Sequence, residues 1–139
     1  MKVRAVIFDL GGTLVDPYSL SPLKALQHAF KKHNYYLTES QINMYMGLAK
    51  PQHISMVVAD YYREAHRSHV DIDMPVKVKP IYEDFKKRQM ELLSQGIEIL
   101  PGVQETYDYL KFNNIKVGVT TGYSKDETKL ITDHLENEG

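Results

Sequence analysis

The sequence predicts an α/β protein: an incomplete parallel-sheet core with an α-helical cap inserted after the first strand. Three observations predict it. Val3 to Phe8 is a short apolar run rich in β-branched residues, closed by Asp9 and Gly11-Gly12. It reads as a strand buried on both faces of a parallel sheet. Ile115 to Thr121, closed by Gly122, is a second such run. About 105 residues separate the two, far more than one crossover helix requires.

The separating segment reads as helical. Ser21-Pro22 opens a helix that carries Leu23, Leu26, Ala29 and Phe30 on one face. Thr38 with Gln41 has the spacing of a capping box for a second helix through about Met46. Ile54, Val57, Val58, Tyr61 and Tyr62 mark a third. His66 to Lys79 is polar, holds Pro75 and reads as a loop. Pro80 to about Gln95 is the fourth helix, with Ile81, Phe85, Met90 and Leu93 as core positions. After Pro101-Gly102, the stripe Val103, Tyr107, Leu110 marks a crossover helix leading into the second strand. Ser124 caps a last helix toward Leu135. The expected division is 1–18 and 100–139 for the core and 19–99 for the cap. Two parallel strands do not close a core, so further segments or another chain are expected to complete it.

Composition narrows the function. A net charge of -1 gives no basis for a nucleic-acid partner. The absence of cysteine excludes disulfides, thiol nucleophiles and thiolate metal sites. No stretch approaches the ~20 apolar residues of a membrane span. The amino-terminal apolar run is too short for a secretory signal and ends in an acid. The expectation is a soluble, cytoplasmic protein with no membrane partner.

Phe8-Asp9-Leu10-Gly11-Gly12-Thr13-Leu14-Val15-Asp16 is the segment that carries chemistry. An acid at the carboxyl end of a buried strand sits where open α/β sheets place their ligands. Paired glycines let the following backbone turn sharply and approach a ligand, and amides in such a turn hold phosphate. A carboxylate there attacks phosphorus and forms an aspartyl phosphate. Two anions must then meet, which calls for Mg²⁺. The alternative is a plain strand and tight turn with Asp9 as a capping residue.

Asp9, Gly12, Thr13 and Leu14 match the first motif of the haloacid-dehalogenase superfamily, which the sequence resembles. The resemblance implies Asp9 as nucleophile, Gly12 and Thr13 at the phosphate, and Asp9 with the Gly11 carbonyl at Mg²⁺. It also implies a HAD-like Rossmannoid core. Phosphatases of that superfamily place a second Asp two residues after the nucleophile as general acid/base, whereas this sequence has Gly11 there.

Met46-Gly47-Leu48-Ala49-Lys50-Pro51-Gln52-His53 resembles the cap motif of the phosphonoacetaldehyde hydrolase (phosphonatase) family. That resemblance implies a Schiff base between Lys50 and the substrate aldehyde, with Met46 and Gly47 at the substrate. The family also has a small residue two positions after its nucleophile. A carbon leaving group needs an electron sink rather than a proton, and an iminium on Lys50 supplies one. A desolvated or cation-flanked site lowers an amine pKa enough for attack. His53, three residues on, is placed to share a helix face with Lys50 and shuttle protons, and a structural role is its alternative. His28, His33, His66, His69 and His134 show no persuasive ligand spacing. Thr120-Thr121-Gly122-Tyr123 resembles the second motif in its phosphonatase form, implying Thr121 and Gly122 at the phosphoryl group and Tyr123 in the substrate pocket. A capped, Thr-rich strand end is the alternative for Thr121.

The resemblance covers the amino-terminal portion of the family. Its later basic residue and acidic loop are not matched, so the expected activity, hydrolysis of a small-molecule phosphonate to acetaldehyde and phosphate, is defective if the chain is truncated. The alternatives are another hydrolase of the superfamily, a phosphatase or dehalogenase, or a non-catalytic fragment that binds phosphate or a partner chain. Family enzymes dimerise through the cap, which implies a homodimer here. Leu26, Phe30, Tyr35 and Tyr36 are candidates for that contact or for cap core.

Overall fold

The computed structural model describes residues 2–16, 20–64 and 73–138. Contacts divide the chain into two compact units, 1–20 with 93–139, and 21–92.

The first unit holds strand β1 (Ala5–Asp9) and strand β2 (Lys116–Thr120), with helices α5 (Val103–Phe112) and α6 (Lys125–Glu138). The strands pair in parallel, and the register sets Asp9 beside Thr120. The carboxyl ends of both strands thus lie at the same end of the sheet, which the β-branched runs predicted. The expected burial on both faces is not found. Ile7 lies over Gly118 and is 72% exposed, and Ala5, Val117 and Val119 are exposed as well. The sheet has two strands among the described residues, so its pattern of apolar side chains exceeds the cover available. The predicted stripe on α5 is corrected in the same way. Leu110 is buried, Val103 only half-buried, and Tyr107 exposed. The core of this unit instead gathers Leu10, Val15, Leu93, Ile97 and Ile131. Ser124 caps α6 as expected, in a reciprocal box: the Glu127 amide donates to its Oγ at 3.3 Å, and its own amide donates to Glu127 Oε2 at 2.6 Å.

Residues 14–16 run beside 98–100. The Asp16 amide donates to the Glu98 carbonyl and the Leu100 amide to that of Leu14, each at 3.0 Å, with Val15 bridged to Ile99.

The second unit is wholly helical: α1 (Leu20–Lys32), α2 (Glu39–Asn43), α3 (Lys50–Glu64) and most of α4 (Met74–Ser94). The predicted stripe of α1 is its buried face. Thr38 and Gln41 form the expected capping box, but α2 stops at Asn43 and the chain turns through 44–47 before α3. Leu26, Ala29, Phe30, Ile54 and Val58 are completely buried. Each such large apolar side chain contributes about 1.5–3 kcal/mol by leaving water. Of the residues considered for a dimer contact, Leu26, Phe30 and Tyr35 belong to this core and Tyr36 is exposed.

Helix α4 departs from expectation. It begins at Met74, so residues 74–79 are helix rather than loop, while 65–72, with His66 and His69, lie outside the described residues. Asp73 makes this start: its carboxylate accepts from the Val76 amide at 3.3 Å. Pro75 then sits in the first turn, where a missing N–H costs nothing. On the buried face, Ile81, Phe85 and Leu93 are enclosed as predicted, but Gln89 is fully buried between them and Met90 only half-buried. A four-residue step from Phe85 leads to Gln89, and an apolar criterion passes over it. Among the described residues, neither polar atom of the Gln89 amide has a hydrogen-bond partner.

Among the described residues, no helix is long and apolar enough to cross a membrane.

Candidate active site

Asp9 is the last residue of β1, and its side chain is exposed. The chain then folds into a tight loop. The Leu10 carbonyl accepts from the amides of Thr13, Leu14 and Val15 at 3.3, 2.9 and 3.1 Å, and the Gly12 amide donates to the Val15 carbonyl at 2.6 Å. Gly12 has φ 80, in the left-handed region that a side chain disfavours. The amides of Gly12 and Thr13, two residues expected at a phosphate, therefore close the loop itself.

Gly11 is different. It lies outside the left-handed region, so backbone conformation does not demand glycine there. Space does: a Cβ at position 11 would lie 2.9 Å from Tyr123 Cε2 and from Tyr123 Oη. Tyr123 reaches this point from the turn after β2. Its amide donates to Thr121 Oγ1 at 3.0 Å, and its phenol donates to Asp16 Oδ2 at 3.1 Å. Burial first, then the Asp16 carboxylate, hold the phenol far above its usual titration range, so it stays a proton donor to Asp16. Asp16 is buried and has φ 55, a left-handed conformation uncommon outside glycine and the Asn/Asp pair. Thr121 is half-buried and Gly122 exposed.

This unit thus holds the candidates Asp9, Gly11, Gly12, Thr13, Thr121, Gly122 and Tyr123, and the structure adds Asp16 and Thr120. Asp16 went without a role because only its contact with Tyr123 distinguishes it from a surface acid. Its signal was its place, closing the Gly-Gly-Thr-Leu-Val run.

The second unit holds the other candidates. Lys50 is the first residue of α3, half-buried, with Nζ 3.7 Å from Met46 Sδ. Gly47 has φ 103, which the turn between α2 and α3 requires, and its surroundings are open. His53 is completely buried. Its Nε2–H donates to the Ile42 carbonyl at 2.7 Å, and among the described residues Nδ1 has no hydrogen-bond partner. Burial lowers its pKa, and the Lys50 charge pushes the same way against the opposing bond to Ile42. The imidazole is therefore neutral, with a defined tautomer, and fixed between α2 and α3. Lys50 and His53 are neighbours, but His53 is enclosed rather than displayed on an open helix face.

Residues 6–138 match the family of haloacid dehalogenase-like hydrolases. The chain belongs to that family. Among curated relatives, phosphonoacetaldehyde hydrolase of Hahella chejuensis is 31% identical over 99% of this chain and 47% of its own length. The enzyme of the same name from Bacillus cytotoxicus is 29% identical over 100% and 53%. The chain spans about half the length of the curated relatives it matches. Among solved structures, a phosphonoacetaldehyde hydrolase like protein from Oleispira antarctica superposes with a TM-score of 0.83 at 26% identity, covering 99% of this chain and 50% of that one. A hydrolase from Pseudomonas syringae shares the fold, with a TM-score of 0.71 at 24% identity over 96% and 56%.

Hydrolases of this family generally use Mg²⁺. The donor set in this chain is thin. Among the described residues, no three His, Asp or Glu side chains converge as a metal site, and Asp9 with the Gly11 carbonyl does not make a cage. The residues present do not by themselves fit the ion.

Proposed function

We propose that the chain carries the chemistry of carbon–phosphorus bond hydrolysis, with phosphonoacetaldehyde as substrate and acetaldehyde and phosphate as products. The observation that carries this reading is Lys50 at the start of α3, next to Met46 and His53, in a chain whose loop offers no acid two residues after Asp9. The relatives named for this reaction support it.

A phosphate ester leaves as an alkoxide and needs a proton at its oxygen. A phosphonate leaves as a carbanion and needs somewhere to put an electron pair. Lys50 Nζ condenses with the aldehyde carbon, water departs, and an iminium forms. The Asp9 carboxylate attacks phosphorus, and the C–P pair moves into the iminium to give an enamine. Water then releases phosphate from Asp9, and protonation and hydrolysis of the enamine return acetaldehyde and Lys50. His53, neutral and buried, holds the chain around Lys50 and adds no positive charge beside the amine.

The test is borohydride reduction in the presence of phosphonoacetaldehyde, followed by peptide mass analysis. Label on Lys50, absent in Lys50→Arg, is the expected result. Release of phosphate and acetaldehyde with Mg²⁺ supplied should be abolished by Asp9→Ala and by Lys50→Arg. Ester hydrolysis without Lys50 labelling would instead assign the chain to another reaction of its family.

A further inference from the structure

We infer that Tyr45 and Asp60 are a positioning pair for Lys50: their hydrogen bond straps the turn that carries Met46 and Gly47 onto α3. The inference rests on the C–P reading above and deepens it, by naming what keeps the surroundings of the lysine in place. Lys50, His53, Val57 and Asp60 follow one another at steps of three, four and three residues, so they share one stripe of α3. The segment 42–46 is fastened along that stripe at three levels. The Ile42 carbonyl accepts from His53 Nε2–H at 2.7 Å. The Tyr45 ring packs edge-on against the His53 ring, with centroids 6.4 Å apart, and its phenol donates to Asp60 Oδ2. Lys50 Nζ lies 3.7 Å from Met46 Sδ.

These contacts differ in strength. A thioether is a weak acceptor, and the bond from His53 ends on α2, ahead of the turn. A phenol bonded to a carboxylate is charge-assisted and strong. Asp60 is itself braced by Arg63, one helical turn further on. Residues 44–47 have left α2, and Gly47 is left-handed, so the Tyr45 side chain supplies a hold that regular helix does not give there. Asp60 does not act on Lys50 through its charge. Ten residues of helix separate them, about 15 Å at 1.5 Å per residue, and a charge so far off is screened in salt. The influence runs through position. With the strap closed, Met46 stays against the amine and Tyr45 over His53, and the amine meets an incoming aldehyde from one fixed place.

The experiment compares Tyr45→Phe, Asp60→Ala and Asp60→Asn in the full chain, labelled with methyl-carbon-13 methionine. Met46→Leu identifies the Met46 resonance. Asparagine at position 60 still accepts from the phenol but ends the ion pair with Arg63. The Met46 methyl signal should move toward the free-methionine value in Tyr45→Phe and in Asp60→Ala, no further when the two are combined, and hold its place in Asp60→Asn. Borohydride trapping of phosphonoacetaldehyde on Lys50 should slow roughly fivefold or more in the first two variants and stay near the parent rate in Asp60→Asn. A Met46 signal that stays put in Asp60→Ala, or an equal displacement in Asp60→Asn, overturns the strap. Trapping that is unchanged while Met46 moves, or a lowered urea midpoint with both readouts unchanged, makes the pair structural only and overturns the positioning. The methionine spectrum needs no catalysis. Absence of label on Lys50 in the parent therefore marks failure of the C–P reading, and the spectrum alone then decides the strap.

Discussion

His53 shows how much one enclosed ring settles. Its folded pKa lies below the ordinary imidazole value of about 6.5. The unfolded chain then binds more protons than the folded one at mildly acid pH, so stability rises with pH there and is lost as pH falls below about 6.5. One proton changes stability by at most about 1.4 kcal/mol per pH unit. Urea midpoints measured between pH 8 and pH 5.5 should fall more steeply for the parent than for His53→Gln, whose amide can still donate to the Ile42 carbonyl. Parallel curves would remove His53 from the acid response. The sequence placed His53 one helical turn from Lys50, and that much was legible. Its burial was not, because it depends on Ile42 of α2 and Tyr45 of the following turn folding over it. The Gly11–Tyr123 contact was invisible for a related reason: the loop and the turn after β2 lie far apart in the chain, and no local pattern reports a clash.

At the scale of elements, local signals worked where a cap or a stripe was self-contained. Thr38 with Gln41 and Ser124 with Glu127 both close the reciprocal boxes their spacing allows. Ser124→Ala should destabilise the core unit by about 1 kcal/mol in urea unfolding, in the range of lost N-caps. A change within error would mean that water replaces the hydroxyl without loss. The start of α4 was misread because Pro75 looks like a breaker when Asp73 is not recognised as the cap before it. Gln89 was missed because an apolar stripe has no place for an amide, although its four-residue step from Phe85 was in plain view. Replacing it with Leu should raise the unfolding midpoint, since two buried amide atoms without a partner among the described residues are removed along with their desolvation cost. A lowered midpoint would show that ordered water satisfies them.

For the whole molecule, the telling feature is the open sheet. Ile7, Val119 and Phe112 are 72%, 50% and 85% exposed, and Phe8, Val117, Ile131 and Leu135 line a groove of about 1070 Å³ on the core unit. Exposed apolar side chains of this kind drive association. In sedimentation at rising concentration, the average mass of the parent should climb, and Ile7→Thr with Phe112→Ser should suppress the climb. Identical behaviour of the two would show that this surface is not what associates. The α/β class, the parallel pairing and the place of Asp9 at the strand end were all legible in two β-branched runs. Their exposure was not, because such runs carry the pattern of a covered sheet whether or not cover is present.

The paired stretches 14–16 and 98–100 have a consequence for how such a chain can be rebuilt. They bring the two ends of the helical insertion side by side, as in a domain grafted into a surface turn. The entropy of closing a loop grows only with the logarithm of its length. Once the neck is zipped, the core is nearly indifferent to how many residues hang beyond it. Insertions of quite different size can therefore be exchanged on the same two strands while Asp9 and its loop stay as they are.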